Sequence, residues 1–168
     1  MATYTTHLTP TGSRSWPRGA IAGLAAGMVF AMWAMVVGAL TPGSNLFAAP
    51  QGIAQSIGIG AQGHAVQAIP LLVGLMGHMM NSIIFGLIFF FIASRLGLRG
   101  MTSVLAGMAF GVMVYAGMYW VVLRGLLSGS SGSFLSANPE WSWLVGHLMF
   151  GVVLGALLAY GPLARRDQ

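Results

Sequence analysis

The sequence predicts an all-α membrane protein, a four-transmembrane-helix bundle built from two parallel helical-hairpin repeats. Three observations carry this. Of the 168 residues, 57% are hydrophobic and 5% are charged, whereas soluble domains carry about a quarter charged residues. Four apolar runs, at about 19–40, 70–94, 101–123 and 141–162, are long enough to cross a ~30 Å hydrocarbon core as helix. One phrase also occurs twice at the same spacing. Ala68-Ile69-Pro70 leads to Gly77-His78 and Gly86, and Ala137-Asn138-Pro139 leads to Gly146-His147 and Gly155.

Residues 1–18 form a polar tail ahead of a membrane domain over 19–162, with a second tail at 163–168. The first apolar run is too long for a cleaved signal segment and is read as an uncleaved span. It carries Gly19, Gly23 and Gly27 at four-residue spacing, continued by Ala31. Such small residues let helix backbones approach in lipid. With four spans, Arg14, Arg18, Arg95, Arg99, Arg165 and Arg166 share one side and Arg124 stands alone on the other. The positive-inside rule then places both termini in the cytoplasm of a bacterial or archaeal inner membrane.

The 41–69 loop is long, uncharged and rich in glycine. Pro50 opens a short helix with Ile53, Ala54 and Ile57 on one face, stopped by Gly58 and Gly60. A loop of this kind is expected to lie on the membrane surface or to dip between helices, and a mobile loop is the plainer alternative. Residues 127–138 read as a flexible Ser/Gly connection. Trp141 and Trp143 fall where an aromatic belt belongs.

The repeat extends beyond the histidines. Ala26-Gly27-Met28-x-Phe30 in span one matches Ala106-Gly107-Met108-x-Phe110 in span three. The offset is 80 residues there and 69 at the histidines, and the longer first loop absorbs the difference. Spans one and three run the same way, so the repeat is parallel. Gly107 and Gly111, followed by Tyr115 and Tyr119, and Gly151 with Gly155, are further packing faces. The methionines show no ligand pattern and are expected to fill gaps.

On a 3.6-residue period, Gly74, His78, Asn81, Ser82 and Phe85 share one face of span two. Trp143, His147, Phe150, Gly151 and Leu154 repeat that face in span four. Each histidine lies eight residues past its proline, about 12 Å along a helix. Both therefore sit near the bilayer middle, where a polar side chain is a site hypothesis by default. Two neutral imidazoles on facing helices suit the axial positions of haem b. Gly74, Gly77, Gly146 and Gly151 would leave room for it, and Phe85 and Phe150 would flank it. A quinone head group or a proton is an alternative ligand. The structural alternative is that each imidazole donates to a backbone carbonyl, Ser82 or Tyr115 and holds the bundle.

Beyond haem iron at His78 and His147, no metal site is expected. Zinc needs a third or fourth protein ligand that the spans lack. Met80 and Met149 follow the histidines by two residues, about 200° around the helix, so a copper site is excluded. His7 and His64 receive no role. The absence of cysteine rules out disulfides and thiolate sites. The arginines are scattered and form no nucleic-acid patch. Glu140 and Asp167 are the only acids, so no span holds the carboxylate that a proton-coupled exporter needs. A serine-protease pair is not expected, since Ser128, Ser130, Ser131 and Ser133 fall in an external loop and Ser82 lies on the same helix as His78, one turn away.

The leading expectation is a non-enzymatic small membrane protein that self-associates or serves as an accessory subunit of a larger complex. It meets the lipid bilayer and itself or other subunits, not nucleic acid. The alternative is a haem- or quinone-binding electron carrier using His78 and His147. A third reading, a small-molecule or proton pathway, requires a water-accessible cavity between spans two and four.

The histidine-bearing second span, Leu105-Ala106-Gly107 in the third, and Glu140 shortly before Gly146-His147-Leu148 resemble the YagU-type uncharacterised bacterial inner-membrane proteins. The likeness covers roughly residues 70–155. It implies a four-span inner-membrane protein and little about chemistry.

Overall fold

The computed structural model describes residues 16–161 and 163. His7, Arg14, Arg165, Arg166 and Asp167, with most of both predicted tails, lie outside the described residues. The described chain is all-helical: α1 (Trp16–Leu40), α2 (Ala48–Ser56), α3 (Ala68–Arg95), α4 (Gly100–Tyr115), a π-helical segment (Ala116–Leu126), α5 (Gly132–Ser136) and α6 (Glu140–Ala159). Four of its helices are long and apolar enough to cross a membrane: α1, α3, α4 together with the π-helical segment, and α6. These are the features of a multi-pass membrane protein. The fourth expected span reaches residue 162, but α6 stops at Ala159, where Tyr160 and Gly161 turn their amides back to Ala156 O.

The long helices pack in the order α3–α1–α6–α4, and α3 touches α4 only lightly. Glycine decides the close contacts. A Cβ on Gly23 would overlap the Ser82 carbonyl, and one on Gly86 would overlap the backbone of Gly19 and Gly23. The same holds between α4 and α6, where Gly107 faces Gly151 O and Gly111 faces His147 O. At such distances dispersion between backbones replaces the hydrophobic effect as the force joining helices. The glycine faces read from the sequence are thus spent within the chain. Trp33 Nε1 of α1 donates to Ser142 O of α6 at 2.9 Å, and Asn138 Nδ2, just ahead of α6, donates to Ala34 O of α1 at 2.9 Å. The α3–α4 turn closes on Gly97 at φ +61°, with Leu98 N–H donating to Ala93 O. That left-handed cap is open to glycine without strain.

Met118 packs against the core as expected, but other methionines behave differently. Met28, Met32, Met76, Met80, Met101 and Met113 are exposed on the outside of the bundle, where they form part of an apolar belt instead of filling its gaps.

The helical part of the 41–69 loop is packed and not loose. Helix α2 crosses α3 at Gly74 and meets α5 where Gly52 abuts Phe134. Gln51 and Gln55 are 0% exposed. Their amides donate to the carbonyls of Ala61, Gly63 and Ala65, which gives those loop acceptors partners away from water. His64 joins the two connections. Its Nδ1 lies 2.8 Å from Gly43 O, its Nε2 lies 3.1 Å from Ser133 O and 3.2 Å from Ser136 Oγ, and its carbonyl accepts from Asn45. Replacing His64 with alanine is expected to loosen this capped end by ~1–2 kcal/mol. Faster amide exchange at residues 60–65 and 132–136, with the long helices unchanged, is the measurement.

Candidate functional site

A cavity of about 270 Å³ lies inside the bundle beneath α2 and α5. Its wall is almost entirely apolar, as in Phe30, Ala34, Leu75, Val114 and Phe150. His78, Asn81, Ser82 and Phe85 reach it from α3, and Trp143, His147 and Phe150 from α6. The structure therefore brings together six of the ten residues expected from sequence, namely His78, Asn81, Ser82, Phe85, His147 and Phe150.

Three of the four glycines do other work. Gly74 is filled by the Pro50 carbonyl of α2, Gly146 by the Phe30 ring, and Gly151 by the Gly107 backbone. A Cβ on Gly77 would meet only Ile53, at 3.9 Å.

The two imidazoles converge on one ring. Phe30 packs edge-on against His78 at 5.4 Å and against His147 at 4.6 Å between ring centroids. Each imidazole donates one N–H to a backbone carbonyl, but through different atoms. His78 uses Nε2 to Gly27 O at 2.9 Å, across to α1. His147 uses Nδ1 to Trp143 O at 2.7 Å, one turn back on α6. Ser82 does not serve the imidazole and donates to His78 O. A bis-imidazole haem needs one free nitrogen of each ring ~2 Å from the iron. Each ring keeps one nitrogen free, but with Phe30 against both rings and three of the clearing glycines filled, the space between them does not fit a porphyrin.

Polar capacity is left over among the residues that line the cavity. Trp143 is 3% exposed, lines the cavity and stacks on Phe134, yet its indole N–H has no acceptor. Asn81, opposite on α3, lines the cavity with no hydrogen bond to its amide, and His147 Nε2 likewise has no partner among the described residues. Trp141, by contrast, is 58% exposed. The expected aromatic belt thus separates into one outward and one inward tryptophan. The four-residue step from Trp143 to His147 was the sequence signal for that.

The remaining wall comes from the π-helical segment, with Met118, Tyr119, Val122 and Leu123. Runs of this geometry are rare and are frequently found at functional sites. Here the wider turn brings residues five apart into register. Arg124 donates to Tyr119 Oη at 3.0 Å, covers the Tyr119 and Trp120 rings at 5.1 Å, and pairs with Glu140 at 3.4 Å. Phe30 and Tyr119 were not legible as site residues, because one reads as part of a repeated phrase and the other as part of a packing stripe. No group of three or more histidines, cysteines or acids gathers among the described residues.

Four apolar helices surround a nearly apolar cavity, the arrangement of a multi-pass membrane protein. The chain belongs to the family of unknown function DUF6789, which it matches over residues 13–167. No curated protein and no solved structure matches it.

Proposed function

We propose that this protein is a non-enzymatic, multi-pass inner-membrane protein whose bundle takes up a lipid-soluble small molecule. The observation that carries this is the cavity between α3 and α6. Ligand pockets are mostly apolar with a few placed polar groups, and this cavity has that composition. Entry is from the bilayer, along the lightly packed seam between α3 and the α4–π helix. Self-association through glycine faces is the weaker reading, since those faces are occupied within the chain.

Two further assignments belong to the same reading. The chain is a parallel duplication of one hairpin. In its support, Gly27 meets Ser82 as Gly107 meets Gly151, and Gly86 meets Gly23 as Gly155 meets Ser103. Arg18, Arg95 and Arg99 stand at the cytoplasmic end, which leaves α2, α5 and Arg124 on the far side. The likeness to YagU-type proteins accords with the inner-membrane placement.

The test is to purify the protein and identify by mass spectrometry what its organic extract holds, beside Ala34→Phe, which fills the cavity from α1. An apolar molecule near one per chain in the wild type, reduced at least ~10-fold in the variant, is expected. Equal extracts from both would remove the cavity as the binding site.

A further inference from the structure

Resting on that reading of the cavity, we infer that the ligand's head is a neutral carbonyl, held by the Trp143 indole N–H. An indole N–H only donates. Left without a partner in a buried site it costs as much as a broken hydrogen bond. Trp143 is buried, lines the cavity and has no acceptor in the protein, so the missing acceptor is supplied by what the cavity takes up.

The rest of the wall fixes the charge of that acceptor. No Arg, Lys, Asp or Glu lines the cavity. The nearest cation in sequence to its wall, Arg124, is already engaged by Tyr119 and Glu140. A carboxylate or phosphate would enter an apolar site with no countercharge, at a cost one N–H does not offset. An uncharged carbonyl carries no such penalty. Across from Trp143, the Asn81 amide both donates and accepts, and one turn along α6 the His147 Nε2 accepts. A head that bears a hydroxyl beside its carbonyl is therefore satisfied as well. The apolar remainder lies along Phe85, Val114 and Phe150. Two membrane-soluble classes share this chemistry, quinone rings and acyl esters.

The experiment is a titration of the purified protein in detergent with decylubiquinone, methyl laurate and dodecane, followed by tryptophan fluorescence and native mass spectrometry. At least one carbonyl probe is expected to bind ~10-fold tighter than dodecane, the worth of one buried hydrogen bond. Preference for the quinone or for the ester names the source. Trp143→Phe keeps an aromatic ring beside Phe134 and is expected to erase the ~10-fold margin of the carbonyl probe over dodecane, both measured in the variant. Asn81→Leu, on the other helix, is the second variant and should narrow the margin without removing it. Three equal affinities in the wild type, or a margin that survives Trp143→Phe, would overturn the carbonyl assignment and leave the cavity reading standing. Binding of none of the three probes would overturn both.

Discussion

Gly151→Leu is expected to separate α4 from α6 and to cost the protein more stability than any other single change considered. A Cβ at residue 151 would overlap Gly107 O, stand 2.7 Å from Gly107 C and lie 3.2 Å from Met108 Cα. All three are backbone atoms of α4, so no rotamer change relieves the clash and the helix itself must move. Overpacking of this kind costs about 3 kcal/mol or more, and His147, four residues earlier on α6, moves with it. In a chain of this size that corresponds to a fall of ~10 °C in the melting temperature of the detergent-purified protein. Gly117→Ala is the control, since nothing stands within 4 Å of the Cβ it would add. A Gly151→Leu variant that melts with the wild type would mean that the α4–α6 contact does not hold the bundle together.

How far such contacts can be read from sequence depends on what generates them. Gly19, Gly23 and Gly27 announce a helix-packing face because small residues at four-residue spacing have one strong use in lipid. The long helices are equally plain, since an apolar run of about 20 residues has few other fates. Gln51 and Gln55 say nothing of the kind. They look like solvent-facing loop residues, and only the folded loop turns the carbonyls of Ala61, Gly63 and Ala65 toward them. The π-helical stretch is hidden for another reason. Its i to i+5 register has no residue signature, and Arg124 meeting Tyr119 is recognisable only once the turn is widened.

The site divides the same way. Face periodicity places His78, Asn81, Ser82 and Phe85 together on α3 and His147 with Phe150 on α6, and the cavity collects them. It is silent on which neighbour a histidine meets. The phrase Ala26-Gly27-Met28-x-Phe30 reads as one half of a repeat, but Phe30 is the ring on which both imidazoles rest. Gly27 is the residue whose carbonyl holds His78. The paired histidines therefore sit among α1, α3 and α6 beside the cavity, and the donor proposed to meet a ligand is the tryptophan one turn from His147.

The second large effect is expected from Gly74→Val, and it discriminates between two uses of that glycine. As clearance for a ligand, Gly74 would tolerate no side chain because the ligand fills the space. In the structure the space holds α2: a Cβ at 74 would overlap Pro50 O and lie 2.8 Å from Pro50 C and 3.6 Å from Ala54 N. Valine therefore lifts α2 from α3, and with it Ala49, Pro50 and Ile53, which close the cavity at that end. The Gln51 and Gln55 anchors go with the helix. Amide exchange over residues 48–56 is expected to quicken by ~100-fold, a local loss of about 3 kcal/mol, while α1 and α6 keep their protection. Ligand retention falls as a consequence, because water reaches the polar end and competes for the Trp143 N–H. Gly77→Ala, three residues on and open to 3.9 Å, should change neither quantity. If Gly74→Val abolished ligand binding while α2 exchanged at the wild-type rate, residue 74 would be a contact of the ligand itself and not the seat of the cap.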